Sequence, residues 1–122
     1  MKPSSFHILR VGLAITFLWI GILIFKTPEA WGSYLQPWAA GLLPIPIKTV
    51  MIGTAIFDIV VGIFLLIDSF TWFVAFLASL HLAIVLTVSG IDAVTVRDIG
   101  LLAAALALMM STWPKGRYLK QQ

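Results

Sequence analysis

A chain of 122 residues that is 61% hydrophobic and 11% charged lies far from soluble domains, in which about a quarter of residues carry charge. Its mean hydropathy of +1.05 marks one integral-membrane domain over residues 1–122, with no separate soluble module. The lack of cysteine excludes disulfides and thiolate chemistry, and the net charge of +3 comes from cations scattered beside apolar runs, as at membrane interfaces, not from a nucleic-acid-binding patch.

After a short polar lead, residues 8–25 (ILRVGLAITFLWIGILIF) form the first predicted span. The run is too long for a signal-peptide core, and KTPEAW follows it where a cleavage site of small residues would be needed. Arg10 lies one turn inside, from where a long side chain can reach the headgroups. Gly12, Thr16 and Gly21 offer a small-residue packing face. Residues 26–46 contain four prolines and two glycines yet stay rich in aromatic and aliphatic side chains. Trp31, Tyr34, Leu35 and Trp38 recur at helical spacing, which predicts one short amphipathic helix at the membrane surface.

Residues 47–67 form the second predicted span, long enough for a hydrocarbon core that takes about 20 apolar residues. Asp58 sits near its middle, on one face with Thr54 and Gly62 at i−4 and i+4. Asp68 and Ser69 predict a tight turn, with Ser69 as N-cap of the third span, residues 70–89, which carries His81 about midway. A turn at Gly90–Asp92 leads to a fourth predicted span, residues 94–113, entered through Arg97 and Asp98. Gly100, Ala104, Ala107 and Ser111 make a small stripe along it, predicted to pack against a neighbouring helix. The expected fold is all-α: an integral-membrane four-helix bundle with a short amphipathic interfacial segment between helices 1 and 2. Both termini are then on one side. Placing them in the cytoplasm gives that side Lys2, Arg10, Lys115, Arg117 and Lys120 against Lys26, Lys48 and Arg97 outside, in line with the positive-inside rule.

An ionisable residue deep in a span is costly, so it faces protein or water and marks function or assembly. Asp58 and His81 have compatible depths on neighbouring antiparallel spans, and Arg97 has the reach to join them. Asp58, His81, Arg97 and Asp98 are therefore the expected buried polar cluster, suited to proton transfer or to holding a polar head such as a quinone carbonyl. The plainer alternative is a pair that sets helix register without chemistry. Arg97 and Asp98, about 100° apart on a helix, are not expected to face each other, and Asp98 suits the positive helix terminus. Arg10, Lys26, Trp31, Trp38 and Trp113 are expected as interfacial anchors. No metal site is expected: two histidines far apart in depth and dispersed carboxylates make neither a haem or copper site nor a metal cage. A phosphate loop and a Ser-His-Asp set are also missing.

The opening RVGLAITFLWIGILIFK resembles the start of DoxX-family proteins, in which an Arg begins the first span and a Gly and Lys close it. GTAIFDIVVGIFLL is similar to the family's second span, with Asp58 between Gly53 and Gly62 where relatives more often carry Glu. RDIGLLAAALAL resembles its fourth-span entry. The resemblance implies a four-helix membrane bundle and, from members that are subunits of thiosulfate:quinone oxidoreductases or partners of membrane redox complexes, an accessory subunit that is not an enzyme by itself. Quinone is the implied ligand, and no other cofactor is evident. Membrane lipid and other membrane subunits, or further copies of the chain, are the implied partners, in a cytoplasmic (inner) membrane. A small proton-coupled transporter or lipid carrier is the alternative, and a structural assembly factor a third reading.

Overall fold

The computed structural model describes residues 3–90 and 96–112 as six helices and their connections, with no strand among them. The first helix, α1 (Pro3–Lys26), starts five residues before the predicted span. Its first residue is proline, whose fixed φ suits a helix start and whose missing N–H would have no intrahelical partner there. Lys26 lies in the last turn, where a cation meets the negative end of the helix.

The interfacial segment is two helices, not the single one expected. These are α2 (Pro28–Gly32) and α3 (Pro37–Gly41), each opened by a proline. Pro37 has no N–H to donate, so a helix begun at Pro28 cannot run through it. Gly32 also ends α2 against the next span, since a Cβ there would sit 2.5 Å from Ile47 Cγ2. The remaining helices are α4 (Ile47–Leu66), α5 (Thr71–Ser89) and α6 (Arg97–Thr112).

Among the described residues three helices, α1, α4 and α5, are long and apolar enough to cross a membrane, so the protein is an all-α, multi-pass membrane protein. One apolar core takes Leu13, Ala14 and Phe17 from α1, Val61 and Leu65 from α4, Val74, Ala75, Ala78 and Leu82 from α5, and Ala105 and Leu108 from α6. Within it α1 and α4 are the closest neighbours, followed by α5 and α6, whereas α4 and α5 meet sparsely. Glycine decides the first pairing. A Cβ at Gly62 would lie 2.5 Å from Leu18 Cγ and 3.0 Å from the Ala14 carbonyl. A Cβ at Gly21 would lie 2.9 Å from the Ala55 carbonyl. The backbones approach this closely because neither position has a side chain, and in lipid such van der Waals contact drives helix association.

The end of α4 also departs from expectation. Ser69 is not an N-cap. Its N–H donates to the Phe64 carbonyl while the Asp68 N–H donates to Leu65, and Asp68 has φ 56°, so the turn closes α4 as a Schellman-type C-cap with Asp where glycine is usual. The residue preceding α5 is Phe70, also left-handed at φ 52°. Thr71, the first residue of α5, donates its hydroxyl back to Asp68 Oδ1 and ties the two helices across the turn.

Most of the small stripe of α6 faces outward, with Ala104 half-buried against the core. Gly100, Ala107 and Ser111 are exposed, and among the described residues nothing lies within 4 Å of a Cβ built on Gly100. Asp98, Ala105 and Leu108 are the buried residues of this helix. Leu108, one residue beyond Ala107, fills more core volume than the small residues could, and so turns its own face inward.

Candidate functional site: a polar-floored cavity

Asp58 lies on α4 beside the glycine-paired face, and the burial that helix pairing imposes leaves its side chain 4% exposed. His81 reaches it from α5, with Nε2 3.4 Å from Asp58 Oδ1. That separation is an electrostatic contact, longer than an ordinary N–H···O bond. The Phe57 ring lies 4.8 Å from the imidazole and packs the seam at this level. Among the described residues, Asp58 Oδ1 has no hydrogen-bond partner.

Above this pair a cavity of about 300 Å³ runs toward the α2–α3 end of the molecule. Its walls are mainly aliphatic, from Ile20 and Ile24 of α1, Met51 of α4, and Leu82 and Val88 of α5. Thr54, one turn above Asp58, also lines it and donates its hydroxyl to the Val50 carbonyl at 3.0 Å. Trp31, Tyr34, Arg97 and Asp98 also line it. Asp58, His81, Arg97 and Asp98 thus border one cavity. Asp58 and His81 approach each other directly.

Arg97 is not buried with them. Its side chain is 46% exposed, 5.6 Å over the Trp31 ring, with Nε 3.9 Å from Asp98 Oδ1. Sequence adjacency keeps the two Cβ directions apart, but in the first turn of α6 the long guanidinium stem bends back to its neighbour. It therefore stays beside Trp31 and does not descend to Asp58.

The α2–α3 segment covers this end as a strap. The Gln36 N–H donates to the Val88 carbonyl at 2.8 Å and its Nε2 to the Ser89 carbonyl at 3.1 Å, which secures the strap to the C-terminus of α5. Gly90, at φ 74°, leaves room for the amide, since a Cβ there would lie 2.9 Å from Gln36 Nε2. Trp31, half-buried, lines the cavity. Lys26 and Trp38 are exposed. Trp113, the turn residue Asp92 and the basic tail fall outside the described residues.

Arg10 is the largest departure from the sequence reading. It is 8% exposed and does not extend to headgroups. Its Nη1 donates to the Leu65 and Leu66 carbonyls at 2.6 and 2.7 Å, Nη2 meets His7 Nδ1 at 3.1 Å, and Nε lies 3.9 Å from Asp68 Oδ1. The guanidinium of α1 thus neutralises the carbonyl end of α4. Antiparallel pairing of the first two spans would have placed Arg10 at that depth, and this was the available signal.

The matched pattern of helices extends from the arginine clamp to the end of α5: the DoxX family model covers residues 5–90. The chain belongs to the DoxX family. No curated protein and no solved structure matches it. Asp58 and His81 of this small DoxX-family membrane protein fall within the matched segment, whereas Arg97 and Asp98 lie beyond its end. The likeness of RDIGLLAAALAL to the family's fourth span is therefore outside the match. Among the described residues no three His, Asp or Glu side chains come together as metal ligands.

Proposed function

We propose that this DoxX-family protein is an accessory subunit of a quinone-linked membrane redox complex, with the quinone head in the cavity and Asp58 and His81 as its polar contacts. The observation that carries this reading is Asp58 Oδ1, buried and without a hydrogen-bond partner among the described residues, in the wall of a mainly aliphatic cavity. A buried polar atom left unpaired costs about 1–3 kcal/mol, and an acid kept at such a place in a membrane span is a mark of function. The volume of about 300 Å³ suits a substituted ring. A carboxyl and an imidazole can each donate to a carbonyl or accept from a hydroxyl according to proton state, so the pair accommodates a quinone or its reduced form.

In this reading α6 completes a four-helix bundle, residues 1–122 act as one domain, and both termini lie in the cytoplasm of a cell whose inner membrane holds the protein. Lipid and other subunits, or further copies of the chain, are its partners. A cysteine at Ser33, on the exposed strap, tests the orientation: an impermeant reagent added outside intact cells should label it. Protection from outside, with labelling in inverted vesicles, would reverse the topology.

The cavity is tested by titrating detergent-solubilised protein with a benzoquinone bearing a ten-carbon tail and following tryptophan fluorescence. Asp58→Asn and His81→Phe should each weaken binding roughly tenfold, about 1.4 kcal/mol, near the low end for hydrogen bonds to charged groups. Equal affinity in the wild type and both variants would remove these residues from the site. Partner redox subunits should also co-purify in mild detergent. The close approach of Asp58 and His81 also suits proton-coupled transport, and that reading gains if the protein alone moves solute in liposomes.

A further inference from the structure

We propose that the cavity is loaded from the bilayer, through the seam between α4 and α5, and that Ile84 stands at its threshold. This rests on the cavity being a ligand site but not on the ligand being a quinone. The class it admits is a membrane-dissolved amphiphile with a hydrogen-bonding head and an apolar tail.

Three observations converge on this route. A cavity of about 300 Å³ holds a ring-sized head but no long tail, so the tail of such a ligand has to leave through a wall. The strap covers the end nearest water, held by the two Gln36 bonds to α5 and by the stacking of Arg97 on Trp31. A hydrophilic ligand entering there would have to break these contacts.

The third observation locates the opening. Ile84 lines the cavity and is nevertheless 54% exposed on the outer surface of the bundle. It lies three residues beyond His81, on the side of α5 that His81 turns toward α4. Val50, eight residues before Asp58 and half-buried, lines the cavity from α4 about 7 Å nearer the strap than Ile84. The Phe57–His81 contact closes the seam at the level of Asp58. Along their length α4 and α5 meet sparsely, because the close helix pairs are α1 with α4 and α5 with α6. The head passes over Ile84 and below Val50 to reach Asp58, and the tail remains among lipid chains.

The native chain has no cysteine, so the route is read by placing one thiol inside the cavity, Thr54→Cys, in protein reconstituted into vesicles. Two maleimides with the same reacting group are compared, one bearing a long alkyl chain and one sulfonated, each normalised to its rate at Ser33→Cys. The alkyl reagent concentrates in the bilayer and should label position 54 roughly tenfold faster than the sulfonated one on this scale. Adding Ile84→Trp should slow the alkyl reagent roughly fivefold, whereas Gln36→Ala should leave its rate unchanged. Where Ile84→Trp fails to assemble, Val50→Trp narrows the same seam from the other side. Sulfonated labelling as fast as alkyl labelling would overturn the proposal. So would alkyl labelling set by Gln36→Ala and indifferent to both tryptophans. The readout needs no ligand, so a failure of quinone to bind and a failure of the lateral route are separate results.

Discussion

Gly62→Leu should lower the stability of the detergent-solubilised protein by about 3 kcal/mol, the upper part of the usual range for overpacking a well-filled interior. The reason is local. Even the first carbon of the new side chain would lie 2.5 Å from Leu18 Cγ and 3.0 Å from the Ala14 carbonyl oxygen, and the latter is backbone that cannot rotate away. Relief requires α1 and α4 to separate, which forfeits contact along the closest helix pair in the molecule. Gly53→Leu on the same helix is the control, since among the described residues nothing lies within 4 Å of a Cβ there. Thermal unfolding of both variants reads the difference. Equal midpoints would mean that the glycine contact does not set the spacing of α1 and α4.

Arg10→Met should cost a similar amount, about 3 kcal/mol, through a different mechanism. Methionine keeps an unbranched apolar stem but removes the donors to the Leu65 and Leu66 carbonyls. Hydrogen bonds from a charged donor contribute about 1.5–3 kcal/mol, and the same charge faces the negative end of α4. Arg10→Lys should recover only part of the loss, because an ammonium is a compact charge and cannot reproduce the planar fork that also meets His7 and Asp68. Thermal unfolding in detergent separates this clamp from a lipid anchor. An anchor would tolerate lysine fully and lose little with methionine.

The places where reading and structure diverge share a cause. The three long apolar runs are local properties: about 20 consecutive apolar residues form helices in a membrane regardless of their neighbours, because backbone groups in hydrocarbon must be satisfied within the segment. The cost of burying Asp58 is likewise visible in the chain, and so is the compatible depth of His81 on the adjoining helix. These followed from the amino-acid order alone, as did the family resemblance in the first two spans.

Which face of each helix turns inward is a different kind of fact. All-round apolar helices have little amphipathic pattern to read, so facing is decided by packing. Gly62 and Gly21 are contact positions and Gly100 is not, although each is a glycine in an apolar helix. Arg10 was legible as a cation near a helix end, but its partners are carbonyls 55 and 56 residues away, brought beside it by the pairing of α1 with α4. Arg97 had the reach to approach Asp58, and its stacking on Trp31 depends on where the strap lies. The strap's own path depends on Pro37, which local chemistry explains, and on Gln36 meeting the end of α5, which it does not. The sequence by itself therefore determined the helices, their membrane character and the acid within them. Tertiary packing decided the cavity, because its walls come from separate helices whose spacing is set by side chains distant in the chain.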